Sequence, residues 1–169
     1  IGENAFAYHA SMTSVTLGAN ATIGKQAFYS CTSLADIDLS KAVSIGDYAF
    51  SGDEYYICTD ENMQIAAVST EGEYMTTNHS TSLVKVDLSS ATSIGEYAFA
   101  MCEDLTEVIL GDAITDIPTY AFASCPSLQN INLDKIQTIG EYAFYDHSIL
   151  RPVSIPDTVT SIGRCAFSR

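Results

Sequence analysis

Hydrophobic positions along the chain recur in one arrangement: an apolar residue, two variable ones, then apolar–variable–apolar. The segments are MTSVTL (12–17), LADIDL (34–39), LVKVDL (83–88), LTEVIL (105–110), LQNINL (128–133) and LRPVSI (150–155). The alternating end of each, such as Ile37-Asp38-Leu39, has the period of a strand with one face buried. A second landmark lies between these segments, the hexapeptide I-G-x-x-A-F. It occurs as IGENAF (1–6), IGKQAF (23–28), IGDYAF (45–50), IGEYAF (94–99), IPTYAF (117–122), IGEYAF (139–144) and IGRCAF (162–167). Successive starts are 22, 22, 49, 23, 22 and 23 residues apart, so only one spacing is irregular. The gap between strand and hexapeptide is too short for a long helix. The A-F-x-x-C stretch that follows predicts a short helical turn carrying the chain back.

One such unit cannot bury enough apolar surface to offset its ordering entropy, whereas stacked units can. Stacking predicts ladders of equivalent side chains, with strands about 4.8 Å apart. Leu34, Leu83, Leu105, Leu128 and Leu150 form one ladder, continued by Met12, and Ile37, Val86, Val108, Ile131 and Val153 form the next. Phe28, Phe50, Phe99, Phe122 and Phe144 supply a bulky spine on the return side. Glycine follows the isoleucine in six of the seven hexapeptides, which either a positive φ or close packing on the next coil would explain. Pro118 breaks that rule and requires φ near −65° at its position.

The combined pattern C-x-x-L-x-x-I-x-L followed by I-G-x-x-A-F resembles the BspA-like (Treponema-type) leucine-rich repeats. The match covers about 142 of 169 residues and leaves out one insert. The resemblance implies an α/β fold: a right-handed leucine-rich-repeat solenoid, with a parallel β-sheet on the concave side and short helical turns on the return side. It further implies an extracellular or cell-surface location and a role in adhesion. The whole chain, 1–169, then reads as a single domain of about seven units of 22–23 residues. It starts at Ile1 and stops within a unit, with no polar capping repeat, which reads as a fragment of a longer array. Uncapped ends would favour end-to-end self-association.

The irregular spacing marks an insert. Leu83 follows Phe50 by 33 positions where the same step elsewhere is six, so residues 51–77 are additional. EYYIC and QIAAV are both strand-like and are split by TDENM, which predicts a protruding β-hairpin. An insert of this kind either carries recognition or covers a neighbouring coil.

Composition narrows the functional classes. Apolar residues make up 47% of the chain and charged ones 17%, which suits a folded protein rather than a disordered one. Twenty-one acidic residues face seven basic ones, a net charge of −14, and no basic stripe is present to bind nucleic acid or an anionic membrane surface. No apolar run reaches the roughly 18–20 residues of a membrane helix. No signal peptide is visible. No G-x-S-x-G, H-E-x-x-H or phosphate-cradling glycine loop is present, and the three histidines do not gather into a catalytic set. The chain therefore reads as a non-enzyme without a cofactor.

Some residue types nonetheless have chemical alternatives. Cys31, Cys102 and Cys125 share the slot three residues after the phenylalanine, where other units have His9, Ser80 and His147. A ladder of small, buried, semi-polar side chains is the structural reading. Zinc held by Cys102, Cys125 and His147 is the chemical one, but a linear ladder does not converge on a tetrahedral point. A Cys102–Cys125 disulfide is conceivable on adjacent coils, while Cys58 and Cys165 read as free thiols. Asp53, Glu54, Asp60 and Glu61 lack the spacing of a calcium loop. Asn20-Ala-Thr and Asn78-His-Ser match the N-glycosylation sequon. Tyr48, Tyr97, Tyr120 and Tyr142 share the fourth hexapeptide position, as an adhesive stripe or, the favoured reading, as packing on the return side.

The variable strand positions point outward and, in the implied architecture, line the concave face. They are Asp36, Asp38, Lys85, Asp87, Glu107, Gln129, Asn130, Asn132 and Arg151. Asp38 and Asp87 are expected as neighbours in one row, on the view that the insert leaves the strand stack unbroken. This mostly acidic, amide-bearing surface suits a protein or peptide partner carrying basic groups. The expected function is recognition or adhesion through that face and perhaps the insert. The alternative is a spacer within a larger surface protein.

Overall fold

The computed structural model describes residues 1–52, 81–147 and 154–168. Two short strands recur per coil. The first set comprises β1 (Ser14–Val15), β3 (Asp36–Ile37), β5 (Lys85–Leu88), β7 (Glu107–Leu110) and β9 (Asn130–Ile131). The second comprises β2 (Ala21–Ile23), β4 (Ala42–Ile45), β6 (Ser93–Ile94), β8 (Asp116–Ile117), β10 (Thr138–Ile139) and β11 (Ser161–Ile162). Every pairing is parallel, and equivalent repeat positions meet: Val86 lies beside Val108 and Val108 beside Ile131, while Ile23, Ile45 and Ile94 follow one another in the second set. A parallel β-solenoid results.

The expected ladders form its core. Leu34, Leu83, Leu105 and Leu128 are fully buried, as are Val86 and Val108 one ladder further on. Met12 and Ile131 pack against this core while partly buried. Leu150 and Val153 lie outside the described residues. The phenylalanine spine runs through seven coils, from Phe6 to Phe167, with neighbouring rings nearly parallel and their centroids 5.2–5.8 Å apart. Phe50 and Phe99 stack at 5.3 Å although 49 residues separate them, so the coils on either side of the insert are direct neighbours. The insert itself, and the hairpin expected in it, lies outside the described residues apart from Ser51 and Gly52.

The return side departs from expectation. No helix is present among the described residues, and the anticipated helical turns are successive reverse turns. In the coil containing Phe28, the N–H groups of Ala27, Tyr29 and Cys31 each donate to the carbonyl three residues back. The intervening N–H groups of Gln26, Phe28 and Ser30 donate instead to Asp47, Ala49 and Ser51 of the next coil. Gln26 and Ser30 have φ of 54° and 51°. A positive φ at the third position of a four-residue turn is what type II geometry demands, and a helix cannot propagate through it. The pattern repeats in the coil of Tyr97, whose φ is 57°, with Met101 at 62°.

The hexapeptide glycine is explained by close approach. A Cβ on Gly95 would lie 2.3 Å from the Asp47 nitrogen, and one on Gly140 2.6 Å from the Thr119 nitrogen. Pro118 is the exception and has a structural consequence. It supplies no N–H, whereas Gly140 donates to Ile117 of the preceding coil at 2.8 Å. At this junction β6 and β8 do not pair, so the second-strand sheet divides into β2-β4-β6 and β8-β10-β11. The return turns still bridge the gap, with the N–H of Phe99 donating to Ala121 at 2.9 Å.

Two predictions follow from this packing. Phe99→Ala leaves a hole in the middle of the spine and is expected to cost about 3–5 kcal/mol in urea denaturation; a loss below about 1 kcal/mol would show that the spine carries little of the stability. At Tyr97 the ring and the backbone make separate demands. Both Tyr97→Ala and Tyr97→Asn remove the ring, but asparagine tolerates the left-handed backbone. The asparagine variant should therefore have the higher denaturation midpoint, and the reverse order would contradict the role given to the backbone.

Candidate partner-binding face

The first-strand sheet presents alternate side chains outward, and the sequence-derived residues divide by what they touch. Asp36 is exposed and stands in register with Ser14 on β1. Gln129 and Asn130 are exposed, with Asn130 in register beside Glu107. Lys85 and Glu107, in register on β5 and β7, form an ion pair at 3.0 Å. Three of the proposed contact residues are committed to the fold itself. The Asp38 carboxylate accepts from the Ser40 N–H at 3.0 Å and the Asp87 carboxylate from the Ser89 N–H at 2.9 Å, each closing a local turn after its strand. Hydrogen bonds from the Ser40 side chain and backbone hold the Asp38 carboxyl below the usual carboxylate range.

Asn132 is the third. Its Oδ1 accepts from the Leu110 N–H at 2.7 Å and its Nδ2 donates to the Leu110 carbonyl at 3.1 Å. Strand β9 ends at Ile131 while β7 runs on to Leu110, so this amide takes over where backbone pairing stops. Arg151 lies outside the described residues.

Backbone pairing is not continuous along the row expected to run through Asp38 and Asp87. Among the described residues β3 pairs with β1 and β5 with β7, so the first-strand sheet falls into β1-β3 and β5-β7-β9. The insert enters the chain between these two strands. The coils remain joined elsewhere: Ser44 and Ser93 are in register on β4 and β6, and the Ser82 hydroxyl donates to the Thr32 carbonyl at 2.9 Å. Two apolar residues missed in the sequence belong to this face. Val84 is exposed beside Lys85, and half-buried Ile109 stands in register with Asp87. Their only signal was that outward strand positions need not be polar.

The cysteine slot has a partner that the sequence did not reveal. The thiols of Cys31, Cys102 and Cys125 are fully buried and reduced. Each donates to the carbonyl of the phenylalanine in the preceding coil: Phe6 at 3.0 Å, Phe50 at 3.7 Å and Phe99 at 3.1 Å. His147 does the same to Phe122 through Nε2 at 2.7 Å. Burial pushes the Cys31 and Cys125 thiols up, which keeps them protonated donors. Cysteine and histidine share the slot because both can donate.

The tyrosine column packs. Tyr48, Tyr97, Tyr120 and Tyr142 stack with ring centroids 4.6–4.8 Å apart, and Tyr120 and Tyr142 are buried. Tyr120 is pushed up to about 12 by burial and then by its neighbours Tyr142 and Glu141. On the outer face of the second-strand sheet, Asp116 accepts from the hydroxyls of Thr115 and Thr138, which hold its carboxyl below the usual range.

Comparison with known proteins agrees with this architecture. The family model for the BspA type leucine rich repeat region matches residues 1–91 and 72–169, with six copies of the repeat. Among solved structures, the chain is similar to a leucine-rich-repeat protein of Treponema pallidum, with 22% identity and a TM-score of 0.50 over 96% of this chain and 65% of that one. It is also similar to a leucine-rich cell surface protein of Faecalibacterium prausnitzii, with 20% identity and a TM-score of 0.45 over 99% of this chain and 60% of that one. A leucine-rich-repeat protein of Bacteroides ovatus shows 19% identity and a TM-score of 0.43 over 96% and 48%. The chain thus spans less than two thirds of the length of each. No curated protein matches it. Repeat pattern, parallel coils and family model agree: the chain belongs to the BspA-type leucine-rich-repeat family.

Proposed function

We propose that the chain is a protein-binding module of a secreted or cell-surface protein, recognising a partner through the first-strand face. The observation that carries this reading is the outward, mostly acidic and amide surface in which Asp36, Gln129 and Asn130 are exposed and Glu107 is half-buried and paired with Lys85. Short parallel strands hold these side chains at fixed register, so they need little further ordering when a partner binds. Val84 and Ile109 add apolar contact among the polar groups. With a net charge of −14, the chain favours a partner that brings lysine or arginine. Secretion, surface location and adhesion rest on the family resemblance.

A spacer role is the second reading. Asp38, Asp87 and Asn132 favour it, since part of the polar surface serves the fold and is not available for contact.

The test is capture of serum and extracellular-matrix proteins on the immobilised chain, beside a variant carrying Asp36→Lys and Glu107→Lys. These two positions are chosen because neither closes a turn. Saturable binding that the double reversal weakens about tenfold or more is expected, equivalent to about 1.4 kcal/mol or more. Unchanged binding by the variant would remove the site from this face, and its loss on deletion of residues 51–77 would place it in the insert. No saturable binding by the folded wild-type chain would favour the spacer.

A further inference from the structure

We propose that His147 is a protonation-dependent latch, which makes the attachment of the coil of residues 139–147 to the coil before it sensitive to mild acid. The argument begins with the shared slot. In three other coils this position holds a thiol that donates to a phenylalanine carbonyl of the preceding coil. In the coil of Phe144 an imidazole takes its place, with Nε2 2.7 Å from the Phe122 carbonyl oxygen. A carbonyl oxygen only accepts, so Nε2 carries the proton and the neutral ring leaves Nδ1 as a bare lone pair. Nδ1 is buried and has no hydrogen-bond partner among the described residues. The ring also meets Phe144 edge-on, with centroids 5.9 Å apart.

Acidification changes this site in one way. A proton added at Nδ1 creates a buried charge and a buried donor without an acceptor, both of which disfavour the stacked coil. Among the described residues, the charged group acting on the ring is Asp146 on the same segment, and its influence is smaller than that of burial. The preceding coil contributes the Phe122 carbonyl. The following coil reaches the region through Phe167, stacked on Phe144, and through the Ser168 carbonyl, which accepts from the Asp146 N–H. These contacts from the neighbouring coils are two backbone carbonyls and an aromatic ring, all uncharged.

Burial, outweighing the Phe122 hydrogen bond and Asp146, pushes the imidazole below its ordinary range. The folded coil therefore binds the proton less readily than the opened one. The stability is fully present above the unfolded value of about 6.5, and it is lost as pH falls through that value toward the folded one. If the folded imidazole stays neutral, the population of the opened coil rises about tenfold between pH 7.5 and pH 5.5. The same slot filled by cysteine adds no charge in this window.

The experiment is hydrogen exchange followed by mass spectrometry at pH 7.5 and 5.5, with intrinsic exchange rates corrected for pH. Wild type is compared with His147→Cys, which installs the residue this chain uses at Cys125. The wild type should lose protection about tenfold in peptides covering 139–147 and 154–168, while 23–31 changes little and His147→Cys removes the loss. An equal loss in the cysteine variant would overturn the proposal. Should that variant fail to fold, the imidazole titration of wild-type His147 followed by NMR decides: an apparent value clearly below 6.5 supports the latch, and one at or above it overturns it.

Discussion

Every second amide of a return segment donates to the following coil, and the rest of the structure depends on that division of hydrogen bonds. A coil satisfies only half of this backbone by itself. The remainder is satisfied when the next coil lies within hydrogen-bond distance, as when the N–H groups of Gln26 and Phe28 meet the carbonyls of Asp47 and Ala49. That distance dictates glycine at the second hexapeptide position, because a Cβ there strikes the neighbouring backbone. It also sets the phenylalanine rings 5.2–5.8 Å apart, so the spine and the hydrogen bonds impose the same repeat. Where one requirement lapses the others hold. Pro118 removes a donor and interrupts the second-strand sheet, yet the turns on either side stay bonded.

Much of this was legible in the sequence because it repeats. Seven hexapeptides in register identified the ladders and the phenylalanine spine, and left the glycine between a positive φ and a close approach, which the structure decides for the latter. The return side was misread for a physical reason. A four-residue rhythm of apolar and small residues suits a helical turn and a chain of reverse turns alike, and the difference lies in φ at the fourth hexapeptide position. Tyrosine occupies it four times, and a bulky residue gives no warning of a left-handed backbone. Asn4 at the same position is the one residue type there that hints at it.

The candidate face was legible as a surface and not as a set of free groups. Strand alternation placed Asp36, Glu107 and Asn130 outward, and they are outward. Alternation does not show which outward side chains are already engaged. Asp38 and Asp87 are followed two residues later by a serine whose N–H they accept, a spacing that marks turn closure as readily as recognition. Asn132 bridges to another coil, a contact no local pattern contains. The lack of backbone pairing between β3 and β5 was likewise hidden, since equal repeats on both sides of the insert give no sign of it.

Direct stacking of coils across the insert is the central claim, and native-state hydrogen exchange at single residues tests it most directly. The amides of Tyr48 and Phe50 donate to Glu96 and Ala98, residues beyond the insert, at 2.9 Å each. They should be protected to within a few-fold of the amides of Phe99 and Phe122, because all four belong to one cooperative stack. Exchange at Tyr48 and Phe50 faster by orders of magnitude, with Phe99 and Phe122 still protected, would show two separate stacks and contradict the account.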